Sequence, residues 1–229
     1  MNDRLPQHIA FIMDGNGRWA LKKGLQRSIG HRYGVKALKQ IFEYVFELGI
    51  KYMSIYALSK ENLKRPKEEI QTLMELLNEY IDDCLPLLIK NKIRLNIMGD
   101  ISILDAQSQQ KIKQALEATK HFSERALNIA FNYSGRDEII KAVNQAIKDG
   151  HREINQEIFE KYLYTAGIPD PDLIIRTSGE QRISNFMLYQ SAYSELYFTK
   201  TLWPDFKKKT LDAALEDYKN RHRKFGDIQ

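Results

Sequence analysis

Five consecutive residues, Asp14-Gly15-Asn16-Gly17-Arg18, bring a carboxylate, two glycines and a guanidinium together, with Trp19 next in line. Glycine lets backbone N–H groups approach a ligand closely, and such a loop can cradle phosphate oxygens. Arg18 adds a planar cationic fork suited to an oxyanion. Asp14 suits Mg²⁺, which takes one or two carboxylates together with substrate phosphates and retained waters. The run also reads as an ordinary Asn-Gly turn. It matches neither G-x-G-x-x-G nor a P-loop, so a nucleotide-binding fingerprint is absent.

A second set lies far along the chain, in Asp172-Leu173-Ile174-Ile175-Arg176-Thr177-Ser178-Gly179-Glu180-Gln181-Arg182-Ile183-Ser184-Asn185-Phe186. An apolar run delivers Arg176, and a Gly-containing loop delivers Arg182 and Ser184. Two guanidinium groups and a hydroxyl can bind a diphosphate through charge-assisted hydrogen bonds. Arginines beside a buried strand need partners, either carboxylates or a bound anion. Glu195, on the next apolar run, can complete a metal site. Weaker signals surround these. Arg27 and His31 share a face if their segment is helical, although alone they read better as solvated basic surface. Ser59-Lys60-Glu61-Asn62-Leu63-Lys64-Arg65-Pro66 can hydrogen-bond a substrate, but in isolation it reads as a helix-capping segment. Asn132-Tyr133-Ser134-Gly135-Arg136-Asp137 reads as a structural turn.

Short apolar runs carry these groups. His8–Met13, Tyr52–Ala57, Ile93–Met98, Leu127–Phe131, Leu173–Arg176 and Glu195–Thr199 are strand candidates, several almost continuously apolar, as a sheet covered on both faces requires. Helical spacing links Val35, Leu38, Phe42, Val45 and Phe46, and then Ile70, Leu73, Leu77, Tyr80 and Ile81. Lys111–His121, Asp137–Lys148 and Asn155–Tyr164 are further helix candidates, and Leu211, Leu215 and Tyr218 mark an amphipathic C-terminal helix. Pro66 suits the first turn of the second helix. The alternation predicts an α/β fold: one domain over 1–229, with a central, mainly parallel sheet of about six strands flanked by helices. In such a sheet ligands collect at the carboxyl ends of the strands, where the unusual residues lie.

Bulk properties narrow the class. The 229 residues are 43% hydrophobic and 28% charged, an ordinary globular composition. A net charge of +5 fits an anionic ligand, a nucleic acid or an anionic membrane surface. Cys84 is the only cysteine, so no intrachain disulfide can form, and its apolar neighbours suggest a buried, inert thiol. No apolar run approaches the ~20 residues needed to span a bilayer. The chain reads as cytoplasmic, with peripheral contact at the inner face of the plasma membrane left open.

Read together, His8–Ala20, Gly30–Gly34, Tyr56–Pro66, Leu127–Arg136 and Pro171–Phe206 resemble the cis-prenyltransferases, especially the bacterial undecaprenyl diphosphate synthases. The resemblance spans nearly the whole chain and is most specific in Met13–Ala20 and Arg176–Phe186, with Glu195–Phe198 and Leu202–Phe206. It implies sequential cis-condensation of isopentenyl diphosphate onto an allylic diphosphate such as farnesyl diphosphate. The product expected is undecaprenyl diphosphate, the lipid carrier precursor for cell-wall polysaccharide. It also implies Mg²⁺ dependence and a homodimer. By position, Asp14 becomes the catalytic aspartate and a Mg²⁺ ligand. Gly15, Asn16, Gly17 and Arg18 bind the allylic diphosphate, and Trp19, Arg27 and His31 join the substrate site. Ser59, Lys60, Glu61 and Arg65 bind substrate, and Asn62 stands where proton removal is assigned. Arg176, Arg182, Ile183 and Ser184 bind isopentenyl diphosphate. Glu195 is the second Mg²⁺ carboxylate, supplied in the family by the partner subunit. Because Asn62 has no useful titration, proton removal calls for a relay through water or phosphate, with Asp14, Ser59 or His31 nearby.

The sequence departs from the family pattern in places: Lys60 stands where Ser is frequent, Leu63 replaces an aromatic residue, Gln181 replaces a His, and Ser134 replaces a Gly. The apolar stripe Ile70, Leu73, Met74, Leu76, Leu77, Ile81 and Leu85 is wider than one sheet-facing seam requires. The resemblance makes it, with Ala57 and Leu95, the wall of a hydrophobic tunnel. Lys207, Lys208, Lys209, Lys219, Arg221, Arg223 and Lys224 read as a solvated helix face, with anionic lipid the weaker alternative. A noncatalytic relative would lack Asp14 or the arginine-loop residues, and both are present. No aromatic–basic motif supports nucleic-acid binding. Asp82-Asp83 is followed by Cys84-Leu85-Pro86, so the D-D-x-x-D motif of trans-type prenyltransferases is absent.

Overall fold

A strand buried on both faces must be apolar at nearly every position, and the first one is: His8–Ile12 (β1) has no exposed residue. In the computed structural model, which describes residues 5–221, the chain continues through α1 (Asn16–Lys22), α2 (Arg27–Glu47) and β2 (Tyr52–Ser59). A 3₁₀ segment (Lys60–Lys64) leads to α3 (Lys67–Lys90), β3 (Ile93–Gly99), α4 (Ala106–Thr119), β4 (Arg125–Tyr133), α5 (Gly135–Lys148) and α6 (Gln156–Glu160). Then come β5 (Leu173–Arg176), β6 (Glu195–Phe198), a 3₁₀ turn at Trp203–Asp205 and α7 (Lys208–Lys219).

The strands form an open six-stranded sheet of order β3-β4-β2-β1-β5-β6. β1 pairs with β5 in parallel, Ile12 opposite Arg176, and β5 pairs with β6 in parallel, Arg176 opposite Phe198. β3 and β4 are parallel as well, from Ile93 opposite Arg125 to Gly99 opposite Phe131. The sheet is an α/β sheet of the predicted class. Strand order reverses at β1, which makes the carboxyl ends of β1 and β5 a topological switch point, the usual place for a ligand.

The chain packs as two compact units. The first comprises residues 5–53, 170–182 and 190–221. Its core centres on Phe11, whose ring meets Trp203 at 5.8 Å, while Trp203 stacks on Phe206 at 5.4 Å. Ile41, Phe42 and Val45 bury the inner face of α2. The second unit comprises residues 54–169 and 183–189. Ile55, Leu58, Ile93, Leu95, Ile129 and Phe131 fill its core. Tyr133 donates a 2.5 Å hydrogen bond to the Glu138 carboxylate, satisfying a buried pair. The thiol of Cys84 is buried here, as predicted.

The strands fall where the apolar runs placed them, with small shifts at the ends. The helices differ more. Asn16–Lys22, read as a loop, is helical. Arg27 and His31 both lie in α2, so the condition for their sharing a helix face is met. α4 begins at Ala106, where Asp105 caps it by accepting from Ser108 N at 2.9 Å, earlier than the apolar spacing suggested. α6 stops at Glu160 and gives way to turns before Tyr164. Pro66 is the residue just before α3. Arg223 and Lys224 of the basic C-terminal stretch lie outside the described residues. Among the described residues, no helix is long and apolar enough to cross a membrane.

Candidate functional site

In the first unit, β1 ends at Ile12 and Asp14 follows two residues later, while Arg176 is the last residue of β5. The register therefore sets their side chains side by side: Asp14 Oδ2 lies 3.0 Å from Arg176 Nη2. Arg176 is buried, and its other terminal nitrogen donates to the Arg182 carbonyl. The backbone of Asp14 is fixed too, its carbonyl accepting from Thr177 Oγ1 at 2.6 Å and from Trp203 N at 3.1 Å. Arg18 approaches the second oxygen of Asp14 at 3.4 Å and Glu180 Oε1 at 3.2 Å. It also donates to the carbonyl and hydroxyl oxygens of Ser178. Arg182 pairs with the other oxygen of Glu180.

Three guanidinium groups thus face two carboxylates. Burial pushes the Asp14 carboxyl up, but Arg176 and Arg18 outweigh it and hold the group below its ordinary value. Glu180, pulled down by Arg182 above all, is ionised as well. The two arginines of this segment thus find separate carboxylate partners, Arg176 in Asp14 and Arg182 in Glu180. The sequence reading gave Glu180 no role, although its position between Arg176 and Arg182 was the available signal.

Glycine is required around this cluster by contact, not only by turn geometry. Gly15 has a φ of 105°, and a Cβ there would meet Leu202 at 2.9 Å. A Cβ on Gly30 would stand 2.1 Å from the Asn16 carbonyl oxygen, and one on Gly34 would stand 2.4 Å from Asn16 Oδ1. These two glycines let α2 lie against the start of α1. Arg27 packs its guanidinium over Gly17, so close that a Cβ would meet Cζ at 2.8 Å. The first-turn amides of α1 have no carbonyl one turn back to bond.

Other predicted residues of this unit have visible structural partners. Trp19 is buried, packs against Tyr33 with ring centroids 4.6 Å apart and planes tilted by 37°, and donates its indole N–H to Asp205 at 2.8 Å. His31 is buried in α2. Glu195 opens β6 and pairs with Arg221 Nη1 at 2.8 Å, while Arg221 also meets Asp217. Among the described residues, no group of three or more His, Cys, Asp or Glu side chains could hold a metal.

The second unit carries the remaining candidates. Ser59 closes β2 and caps the 3₁₀ segment, its hydroxyl accepting from Asn62 N at 3.2 Å. The capping reading of this segment is therefore correct at that position. Lys60, where the family favours Ser, forms an ion pair with Asp137 in the first turn of α5. Arg65 pairs with Glu69 in the first turn of α3, at 3.0 Å. Ser134, where the family favours Gly, caps α5 by accepting from Asp137 N at 3.3 Å. Ser184 is exposed, and its carbonyl accepts from Tyr56 OH at 3.3 Å. Ile183 is half-buried and its carbonyl accepts from Phe186 N at 3.0 Å, after which Phe186 stacks on Tyr56 at 4.6 Å. Ser184 and Asn185 both have left-handed backbones, with φ of 48° and 64°, a conformation that costs a non-glycine residue about 1–2 kcal/mol and concentrates at functional sites.

Comparison with known proteins identifies the family. Residues 12–226 match the family model described as "Putative undecaprenyl diphosphate synthase". An isoprenyl transferase of Fusobacterium nucleatum is 52% identical over 229 residues, covering 100% of this chain and 99% of its own. The farnesyl-diphosphate-specific ditrans,polycis-undecaprenyl-diphosphate synthase of Pasteurella multocida is 47% identical, covering 99% of this chain and 97% of its own. The crystal structure of lavandulyl diphosphate synthase from Lavandula x intermedia, in complex with dimethylallyl diphosphate, superposes with a TM-score of 0.92 at 35% identity. It covers 97% of this chain and 99% of that one. The matched region contains both the Asp14–Arg18 and the Arg176–Ser184 segments, and the chain belongs to the undecaprenyl diphosphate synthase family of prenyl transferases.

Proposed function

We propose that this chain, as one domain and as a homodimer, is a Mg²⁺-dependent cis-prenyltransferase. It adds isopentenyl diphosphate repeatedly to an allylic diphosphate, farnesyl diphosphate being the starter, and makes undecaprenyl diphosphate. Its role is then to supply the lipid carrier for cell-wall polysaccharide, from the cytoplasm, with peripheral contact at the inner face of the plasma membrane for product release. The observation that carries the reading is the Arg18–Asp14–Arg176 cluster at the switch point of the sheet, in which a buried and an exposed guanidinium converge on one ionised aspartate while Arg182 pairs with Glu180 beside it.

The reaction needs a diphosphate to leave an allylic carbon, with charge building on its oxygens. Arg18 and the backbone donors of Gly15–Gly17 stabilise that charge where it develops. Arg27, His31 and Trp19 complete the allylic side. Arg176, Arg182, Ile183 and Ser184 hold the isopentenyl diphosphate, so that its double bond faces the carbon; this gain is one of orientation. Asn62, with Ser59, Lys60, Glu61 and Arg65 around it, stands at the position of proton removal. Since an amide does not titrate usefully, the proton departs through water or phosphate.

The residues present fit Mg²⁺. A single ionised aspartate, with no cluster of three ligating groups among the described residues, suits an ion that takes most of its shell from substrate phosphates and water. Asp14 would hold it, with Glu195 contributed across the dimer. When bound, the ion neutralises charge on the departing diphosphate.

In the second unit, the apolar residues Ile70, Leu73, Met74 and Leu85 of α3 are only half-buried, as is Ala57 of β2. An apolar row that the core does not consume supports their role in walling the growing chain.

The test is incubation with farnesyl diphosphate, labelled isopentenyl diphosphate and Mg²⁺, followed by chain-length analysis and sedimentation of the same preparation. Elongated cis-polyprenyl diphosphates, Mg²⁺ dependence and a particle of twice the 26.8 kDa chain mass are expected. No incorporation of label into an apolar product would end the reading.

A further inference from the structure

Asn185 has no role in the assignments above, yet three segments of the second unit meet at its side chain. Its Nδ2 donates to Glu61 Oε1 at 2.7 Å and to Ser134 Oγ at 2.9 Å. Its Oδ1 accepts from Arg136 N at 3.0 Å, and its carbonyl accepts from Gly135 N at 2.9 Å. Both amide hydrogens, the amide oxygen and the backbone oxygen are therefore engaged. A short side chain that donates and accepts at once is needed, on a backbone with φ of 64° that asparagine tolerates better than most residues. Gly135 allows the close approach: a Cβ there would stand 2.8 Å from the Asn185 carbonyl oxygen.

We propose that Asn185 is a positioning residue: through Glu61 it fastens the 3₁₀ segment Lys60–Lys64, which carries Asn62, to the start of α5. This rests on the reading of Glu61 and Asn62 as parts of the substrate site. The bond to Glu61 is the functional half of the clamp, and the bonds to Ser134, Gly135 and Arg136 are its anchor. Lys60 reinforces the clamp by pairing with Asp137 on the same turn of α5.

Asn185→Asp separates the two halves. It keeps the shape, accepts the left-handed backbone and retains the bonds from Arg136 N and Gly135 N, and the Ser134 hydroxyl can turn to donate to it. Only toward Glu61 does it set one carboxylate against another. Also facing Glu61 are the Ser59 hydroxyl, which helps hold its carboxyl down, Asp137, which pushes it up, and the neighbouring Lys60 ammonium, which feels the Glu61 charge while it pairs with Asp137, beside Asp100. In the variant, the carboxylate pair takes up a shared proton as pH falls, and the protonated acid then donates where the amide did.

Two readouts test this. The first is kcat/KM for isopentenyl diphosphate in Asn185→Asp relative to the unmodified enzyme. We expect a loss of about tenfold at about pH 8.5, the size of one charge-assisted hydrogen bond in partly solvated surroundings, narrowing severalfold by about pH 6. The second is tryptic nicking after Lys60 or Lys64, which does not depend on activity. It should speed up about tenfold at the higher pH and match the unmodified enzyme at the lower. A relative activity that does not change with pH, or nicking no faster than normal, overturns the proposal. Should Asn185→Asp fail to fold, Glu61→Ala removes the other half of the bond, and unaccelerated nicking in that variant overturns it equally. If the unmodified protein transfers no prenyl group, the functional reading fails, while the nicking comparison still decides the role of Asn185.

Discussion

At the scale of single residues, the Asp14–Arg176 pair joins stability to chemistry. Arg176 is buried, so its guanidinium needs the aspartate. Asp14→Asn keeps the shape and removes the charge. It should lower kcat by about a hundredfold or more if the aspartate holds the cation. It should also cost about 1–2 kcal/mol at neutral pH, less than a fully buried pair because the carboxylate is about a third exposed. The sign with pH follows from a folded pKa held below its ordinary value of 3.8. The stabilisation is fully present above about pH 4 and is lost as pH falls through the folded value. Urea midpoints of the two proteins should therefore converge below about pH 4; a gap that stays constant would mean that the pair is not what separates them.

Residue types at strand ends were legible in the sequence, because a guanidinium or carboxylate following an apolar run has little reason to be there except chemistry or pairing. Asn185 was not legible. Its partners lie 124 and 51 residues away, and its left-handed backbone leaves no mark on composition. The pairing of Lys60 with Asp137 was hidden for the same reason: the contact needs β2 and α5 already placed.

At the scale of elements, the strands were readable because burial on both faces forces continuous apolar runs. The helix α1 was not, since Asp-Gly-Asn-Gly carries the local signature of a turn. What makes it helical is tertiary: the indole of Trp19 is anchored on Asp205, and α2 presses against its first residue across Gly30. Gly30→Ala tests that contact. Alanine favours a helix by about 1 kcal/mol, but its Cβ would stand 2.1 Å from a backbone oxygen that cannot swing aside. Overpacking of this kind costs about 1–3 kcal/mol or more, so a net loss of stability in urea unfolding is expected, together with reduced kcat/KM. A stabilised protein would show that α1 and α2 can separate freely.

At the scale of the whole molecule, product length is the property to watch, because it reports the depth of apolar space rather than any one contact. In the proposed reading, the half-buried row on α3 and the half-buried Ala57 wall that space. Ala57→Leu should shorten the main product by one or more isoprene units, read by chromatography of the dephosphorylated products, with the first condensation little affected. Unchanged length would remove Ala57 from any wall of the growing chain. The class of fold and the order of its elements were thus within reach of the sequence. The division into two packed units was not, because units built from discontinuous stretches depend on which distant segments meet.

The carboxylate of Glu180, lodged between the forks of Arg18 and Arg182, has one more implication. A diphosphate binding there, as proposed, would not meet bare cations; it would have to evict a tenant. Affinity then reflects the difference between two negatively charged occupants instead of the whole attraction of either. In the proposed reaction such a swap would weaken the grip on every diphosphate alike, including the inorganic one released at each condensation, and so would favour an enzyme that lets go quickly enough to repeat itself.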